Sequence, residues 1–223
     1  MKFYASIRCR NKIKVTANDS GINLNNNHIN KRGCIPLKIV PTKFKEVVLI
    51  EPAVYEDPRG FFMESYNAEL FKKFGLDINF LQDNHSLSVK EGTIRGLHYQ
   101  LNPDAQTKLV RASRGAIFDV VVDIRKGSPT YGQWDGYVLS AENKRQLLIP
   151  KGFAHGLCTL VDFTEVQYKV DALYSAENDR GILWNDPIIG IEWPTKNPIL
   201  SGKDAQNPTL ENADNNFSME VSI

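Results

Sequence analysis

The sequence lacks the features that mark several protein classes. It contains no apolar run of about 18 residues, the length that a membrane-spanning helix needs, so no membrane span is expected. Its three cysteines, Cys9, Cys34 and Cys158, are odd in number and far apart. This usage argues against a disulfide framework and predicts a reducing, cytoplasmic location. The sequence also has no repeat of fixed period and no glycine-rich phosphate loop, which argues against a repeat protein and a P-loop nucleotide site.

Acidic residues are nearly missing from the first forty positions. Residues 1–40 carry eight Lys or Arg against one acid, Asp19, whereas the remainder carries 19 basic and 25 acidic residues. The same segment has seven Asn and no hydrophobic period, which predicts a flexible extension with no fold of its own. We therefore expect a single domain over residues 41–223 that ends in a polar tail. Because its net charge is negative, this domain is not expected to bind nucleic acid.

Residues from Val47 onward are patterned as short strands. Apolar and polar residues alternate over 118–124 and over 166–170, and this period of two is typical of strands with one apolar face. Turn signals recur between such runs, for example at residues 57–60, where the sequence is Asp-Pro-Arg-Gly. The spacing predicts an all-β sandwich or barrel, with a jelly roll (double-stranded β-helix) as the natural candidate.

One helix interrupts this pattern. Asn67 is a typical N-cap, Gly75 a typical end, and Leu70, Phe71 and Phe74 form an apolar stripe between them. The predicted fold is therefore all-β with only short helices.

Two histidines lie in surroundings that resemble the two motifs of the cupin superfamily. His98 comes six residues after Gly92, and His155 follows the Pro-x-Gly turn at 150–152. A metal-binding cupin carries a second histidine two positions after the first, with a nearby Glu. Here Gln100 holds that position and no Glu follows closely. Because an amide oxygen replaces imidazole poorly at a transition metal, we expect no metal and no other cofactor.

The role of His98 has two interpretations at this point. It is either a core histidine satisfied by a backbone carbonyl or a general base, and the spacing alone leaves both open. Strict alternation over 94–100 places Gly96 and Gln100 on the face of His98 and places Arg95 on the opposite face.

Tyr168 and Lys108 also keep two interpretations each. Tyr168 lies on the apolar face of its strand, as a core tyrosine or as a proton donor inside the barrel. Lys108 begins a strand, where a lysine is usually a solvated edge charge.

Longer segments resemble one enzyme family, the dTDP-4-dehydrorhamnose 3,5-epimerases, in order and over nearly the whole body from Val47 to Asp204. The matching segments include DPRGFFMESYN at 57–67, QDNHS at 82–86, RGLHYQ at 95–100, GAIFDVVVDIR at 115–125, SPT at 128–130, LSAENKRQL at 139–147, IPKGFAHG at 149–156, GILWNDP at 181–187 and WP at 193–194.

The resemblance implies a homodimeric, metal-independent jelly roll that acts on the nucleotide sugar dTDP-4-keto-6-deoxy-D-glucose. It implies His98 as the base and Tyr168 as the acid on the opposite face of the sugar. It further implies that Lys108 stabilises the enolate oxygen and that Asp204 orients His98. Contacts with the nucleotide sugar are implied for Arg59, Glu64, Gln82, Asp83, Asn84, Arg95, His155, Asp179 and Lys203. Some of these residues are expected to serve the neighbouring subunit's site.

The sequence departs from the family pattern in two places. Asp179 stands where the family has a Glu, one methylene longer, and Glu177 is close enough in sequence to make that contact instead. Residues 1–40 have no counterpart in the family pattern. The resemblance also leaves open whether the nucleotide base is thymine or uracil and which deoxysugar is the end product.

Three other classes of function remain as alternatives. A single-centre epimerase or a sugar 3,4-ketoisomerase would share the histidine and differ in the residue opposite it. A non-catalytic sugar-binding cupin would need no base, acid and orienting carboxylate together. A metal-dependent oxygenase is disfavoured by Gln100.

Overall fold

The computed structural model describes residues 37–219. The predicted extension, with Cys9 and Cys34, lies almost entirely outside the described residues, and so does the end of the tail at 220–223. The described chain forms thirteen strands, one α-helix and one 3-10 helix, η1. Their bounds are β1 Leu37–Val40, β2 Val48–Pro52, β3 Tyr55–Asp57, β4 Gly60–Phe62, α1 Ala68–Lys73, β5 Gln82–Ser88, β6 Ile94–Gln100, β7 Lys108–Arg114, β8 Ala116–Asp123, β9 Trp134–Ser140, β10 Gln146–Ile149, β11 Phe153–Thr159, β12 Thr164–Val170, β13 Asp179–Gly181 and η1 Asp204–Gln206.

Two antiparallel sheets form the body of the fold. One has six strands in the order β1-β2-β10-β7-β12-β5, and the other has five in the order β13-β6-β11-β8-β9. From β5 to β8, and again from β10 to β13, consecutive strands alternate between the two sheets, which is the winding of a jelly roll. The strands β3 and β4 pair only with each other, as a hairpin.

Apolar side chains fill one part of the space between the sheets and cover both outer faces. Val110 of β7, Val121 of β8 and Leu157 of β11 belong to the cluster between the sheets. The C-terminal segment covers the outer face of the five-stranded sheet through residues such as Ile189. Helix α1 covers the outer face of the six-stranded sheet through Phe71. Polar side chains that point between the sheets are therefore confined to the part of the interior that this cluster leaves free.

Local sequence explains where α1 begins and ends. The side chain of Asn67 accepts a hydrogen bond from the backbone N–H of Leu70 at 3.1 Å, as an N-cap does. Gly75 follows the last turn with φ +80°, a left-handed conformation that glycine adopts without a steric penalty. The helix was predicted at this position, and that prediction is confirmed.

The predicted all-β jelly roll with few short helices is likewise confirmed. Within residues 37–219, neither helix has the length and apolar character needed to cross a membrane. The division at residue 40 into an extension and a single domain stays a prediction.

Candidate active site

His98 and Asp204 form a hydrogen-bonded pair inside the barrel. The two residues are 106 positions apart in sequence, one on β6 and the other at the start of η1, and Nε2 of His98 lies 2.6 Å from Oδ1 of Asp204. Burial favours the neutral form of Asp204. Hydrogen bonds from His98, from Ser201 and from the backbone N–H of Gly96 outweigh this effect of burial, and they hold the pKa of the Asp204 carboxyl below its usual value. The ionised carboxylate thus accepts from Nε2–H, which leaves Nδ1 with the free lone pair.

A bulge in β6 places Arg95 on the same face as His98. His98 pairs with His155 on β11, whereas Arg95 pairs with Leu157, so two residues of β6 stand opposite the single Gly156. A Cβ atom on Gly96 would lie only 2.6 Å from the Cα of Gly156, so glycine is required where the two backbones approach. The alternation that put Arg95 on the opposite face is therefore wrong, because it assumed an unbroken pleat.

His155 and Asp119 form a second histidine–carboxylate pair next to the first. Nε2 of His155 lies 2.8 Å from Oδ1 of Asp119, and Asp119 is fully buried. Burial lowers the pKa of His155, and the attraction of Asp119 opposes this shift only in part. Since His155 lies directly across the strand pair from His98, both imidazoles point into the same space.

Lys108 enters this space from the six-stranded sheet. Its ammonium group lies 3.4 Å from the backbone oxygen of His98. Burial lowers the pKa of Lys108 to about 8, against the attraction of Asp179 and Asp119. Lys108 is therefore not the solvated edge charge that its place at a strand start suggested.

Tyr168 also faces the interior, from β12. It lies opposite Asn84 of β5 and Val110 of β7 in the sheet and packs against the apolar cluster between the sheets. Burial raises the pKa of Tyr168, and the positive charge of Arg95 offsets part of the increase. The phenol is consequently protonated at neutral pH.

Four predicted substrate-binding residues form a polar chain with Tyr174, a tyrosine that no sequence motif had indicated. Lys203 contacts Asp179 at 2.5 Å, and Asp179 accepts from the hydroxyl of Tyr174 at 3.3 Å. The backbone N–H of Tyr174 donates to Gln82 at 3.3 Å, and Gln82 donates to Asn84 at 2.8 Å. Tyr174 is 62% exposed. The side chain of Asp179 thus bonds Lys203 and Tyr174, and whether Asp179 or Glu177 contacts the nucleotide sugar stays a prediction.

Three other predicted residues lie elsewhere. The side chain of Asp83 points to the outer face of its sheet, where it bonds Lys169 at 2.8 Å, because neighbouring residues of a strand face opposite sides. Arg59, on the β3–β4 hairpin, is 90% exposed and pairs with Asp57, and Glu64 accepts from Asn67. Arg59 and Glu64 thus contact only residues close to them in sequence, and these contacts do not place either side chain in the interior of its own chain.

Metal ligands are not grouped in the described part of the chain. Over residues 37–219, no three His, Cys, Asp or Glu side chains come together as a metal site requires. The arrangement instead offers an oriented imidazole on one sheet and an ammonium and a phenol on the other.

Comparison with known proteins agrees with this geometry. The sequence model of the family described as dTDP-4-dehydrorhamnose 3,5-epimerase matches residues 41–212. The dTDP-4-dehydrorhamnose 3,5-epimerase of Shigella flexneri is 54% identical over 179 residues, which are 80% of this chain and 98% of that protein.

Two crystal structures share the fold. The dTDP-4-dehydrorhamnose 3,5-epimerase of Bacillus anthracis, solved with TDP and pyrophosphate bound, is 56% identical with a TM-score of 0.76, covering 78% of this chain and 99% of that one. The enzyme of Legionella pneumophila, solved with dTDP-4-keto-L-rhamnose, is 46% identical with a TM-score of 0.77, covering 80% and 95%. The chain described here belongs to the dTDP-4-dehydrorhamnose 3,5-epimerase family.

Proposed function

We propose that this protein converts dTDP-4-dehydro-6-deoxy-D-glucose to dTDP-4-dehydro-L-rhamnose by inverting C3 and C5, in dTDP-L-rhamnose synthesis. The observation that carries this proposal is the His98–Asp204 pair, with His98 on one sheet, facing Lys108 and Tyr168 on the other sheet. Inversion requires a proton to leave one face of the sugar ring and another to arrive at the opposite face. A base and an acid on facing sheets meet that requirement.

His98 acts as the base. The C4 ketone acidifies the hydrogens at C3 and C5, because the carbanion left by either one is an enolate. Nε2–H stays bonded to Asp204, so Nδ1 takes the proton from carbon, and the negative charge of Asp204 stabilises the imidazolium that forms. The side chain of His98 is 33% exposed, which leaves it open to a substrate.

Lys108 stabilises the negative charge that moves onto the C4 oxygen. An ammonium group held in a largely desolvated site interacts more strongly with an oxyanion than the same group in water. With its pKa lowered to about 8, Lys108 is mostly protonated at neutral pH and can donate to that oxygen.

Tyr168 returns a proton to carbon from the other face. Burial keeps its phenol protonated, as a donor must be. After the transfer, the phenolate takes a proton from solvent and His98 loses its proton to solvent, so the site is ready for the second carbon. Each cycle is thus redox-neutral and needs no cofactor.

The polar chain from Lys203 to Asn84 binds the nucleotide part of the substrate in this proposal, together with Arg95 and His155. Lys203 and Arg95 supply positive charge for the diphosphate. The exposed ring of Tyr174 offers a flat face on which the base can stack.

Arg59 and Glu64 are proposed to complete the site of a second subunit in a homodimer. The hairpin that carries Arg59 exposes Phe61 and Phe62, at 54% and 67%, and exposed aromatic side chains are common at protein interfaces. Sedimentation equilibrium tests the dimer. Mixing Arg59→Ala with His98→Ala tests whether the two subunits share residues of one site, because a mixed dimer with one intact site should regain activity that neither variant has alone.

A cytoplasmic location is proposed on the cysteine usage, with Cys158 a buried free thiol.

The experiment for the activity follows solvent exchange. The purified protein is mixed with the substrate in deuterated water, and the C3 and C5 proton signals are recorded by NMR. The epimerised product is trapped by reduction with NADPH to dTDP-L-rhamnose, catalysed by the next enzyme of the pathway. We expect both signals to disappear and the trapped product to form. Exchange at one carbon would assign a single-centre epimerase, and tight binding without exchange would assign a sugar-binding cupin.

A further inference from the structure

A cleft outside the barrel is not used by any of the roles given above. It lies against the outer face of the six-stranded sheet and has a volume of about 260 Å³. The polar residues that line it include Ser65, His85, Arg111, Gln146 and Gln167. Pockets for drug-sized ligands usually measure about 300–1,000 Å³, so this cleft fits a small molecule and not a second nucleotide sugar.

Four polar side chains form a row along this cleft. Consecutive register partners on four neighbouring strands, from β10 through β7 and β12 to β5, are Gln146, Arg111, Gln167 and His85. They point outward because Val110 and Tyr168, their neighbours along β7 and β12, point into the barrel. Since directly opposite residues of adjacent strands lie close enough to interact, the row acts as one polar surface.

Arg111 brings to this surface a positive charge that no acid offsets in the described part of the chain. The acids of the same face are paired with other residues: Asp83 bonds Lys169 at 2.8 Å. Glu165 lies 3.0 Å from His85. Burial lowers the pKa of Arg111, and no attraction from a carboxylate opposes the shift. The guanidinium still stays charged at neutral pH, so it attracts an anion that enters the cleft.

The hydrogen bonds of Arg111 leave one edge of its guanidinium for a ligand. Its Nε and Nη2 both donate to the side-chain oxygen of Gln167, at 3.2 and 2.6 Å. The remaining N–H groups, on Nη1 and Nη2, form the second edge of the planar group, which matches the two oxygens of a carboxylate or phosphate. Because the oxygen of Gln167 accepts from Arg111, the amide nitrogen of Gln167 is left as a further donor.

We propose that this cleft binds a small oxyanion, a carboxylate or a phosphate, with the guanidinium of Arg111 and the side-chain amide of Gln167 as its main donors. The site is separate from the proposed active site, because Arg111 and Gln167 face outward while Lys108 and Tyr168, on the same two strands, face the interior.

The test is a titration with inorganic phosphate and, separately, with acetate, followed through the backbone amide signals of Arg111 and Gln167 by NMR on nitrogen-labelled protein. Saturating dTDP keeps the added anion out of the nucleotide site. Ionic strength is held constant, because salt screens unspecific attraction to surface charges. We expect both signals to shift in a saturable way, and the anion that saturates at the lower concentration identifies the ligand class.

Two variants should remove this binding. Arg111→Gln takes away the charge and should weaken the anion affinity by about tenfold or more. Gln167→Glu keeps Arg111 and places a carboxylate against it, so the cleft neutralises itself and should lose the anion to the same extent. This second variant supplies a buried cation with a partner, so it keeps the test available if Arg111→Gln does not fold.

Arg114→Gln is the matched control. Arg114 lies on the same strand, but it is exposed and already has an acid, Glu165, at 3.8 Å. Its removal should leave the titration unchanged. A loss of binding in Arg114→Gln equal to that in Arg111→Gln would show that general surface charge holds the anion, and it would overturn the proposal.

Two other results would overturn it as well. One is a wild-type protein whose Arg111 and Gln167 signals shift with neither anion. If Arg111→Gln then also weakens a dimer in sedimentation equilibrium, the partner of the guanidinium is a second copy of this chain. The other is saturable binding that persists in Gln167→Glu. All of these readouts are independent of C3 and C5 exchange, so they leave the proposed function to its own experiment.

Discussion

Replacing Asp204 with Asn should lower kcat while leaving KM nearly unchanged. The Oδ1 of Asp204 lies 2.6 Å from Nε2 of His98, and the carboxylate is 5% exposed, so it acts on the base rather than on the substrate. Asn keeps the shape and loses the charge that stabilises the imidazolium. A hydrogen bond to a charged group contributes about 1.5–3 kcal/mol, which corresponds to a loss of about 10- to 150-fold in kcat.

The assay is steady-state epimerisation coupled to NADPH oxidation, with folded enzyme quantified by circular dichroism. Asp186→Asn is the matched control, because Asp186 is also buried but accepts from the backbone N–H groups of Ile188, Ile189 and Leu210. It should lower the melting temperature and leave kcat per folded molecule unchanged. Wild-type kcat in Asp204→Asn, or a loss confined to KM, would refute the assignment of Asp204 as the orienting carboxylate.

Two further predictions follow from the surroundings of His98. Gly181→Ala should reduce kcat by about tenfold, because a Cβ there would lie 2.3 Å from Nδ2 of Asn207, next to the η1 turn that carries Asp204. Gly202→Ala is the control and should keep wild-type kcat, because a Cβ at Gly202 meets nothing within 4 Å. Equal kcat values for the two variants would contradict this prediction. Wild-type kcat should fall as the pH rises through about 8, since Lys108 is charged below its pKa and neutral above it. Lys108→Arg should be slower but should lose that limb, because a guanidinium stays charged. A limb that persists in Lys108→Arg would belong to another group.

The sequence predicted the regular parts of this fold well. Alternation over 166–170 correctly placed Val166, Tyr168 and Val170 on one face of β12, because β12 has no bulge within these five residues. The helix was predictable since its signals, the Asn67 cap and the Gly75 stop, are local.

The parts that sequence could not predict depend on tertiary contacts. The bulge that puts Arg95 on the face of His98 lies where Gly96 meets the backbone of Gly156, a residue sixty positions further along the chain. Alternation over 118–124 identified an apolar face, but that face packs under the C-terminal segment, and the side with Asp119 is the one that faces the interior. No local pattern pairs His98 with Asp204, which only the family resemblance connected.

Tyr168→Phe in deuterated water shows whether His98 and Tyr168 work from opposite faces of the sugar. The base and the enolate stabiliser are intact in this variant, while the proton donor is missing. We expect hydrogen at C3 or C5 still to exchange with solvent and formation of dTDP-4-dehydro-L-rhamnose to be greatly slowed. Full epimerisation at the wild-type rate would contradict this expectation.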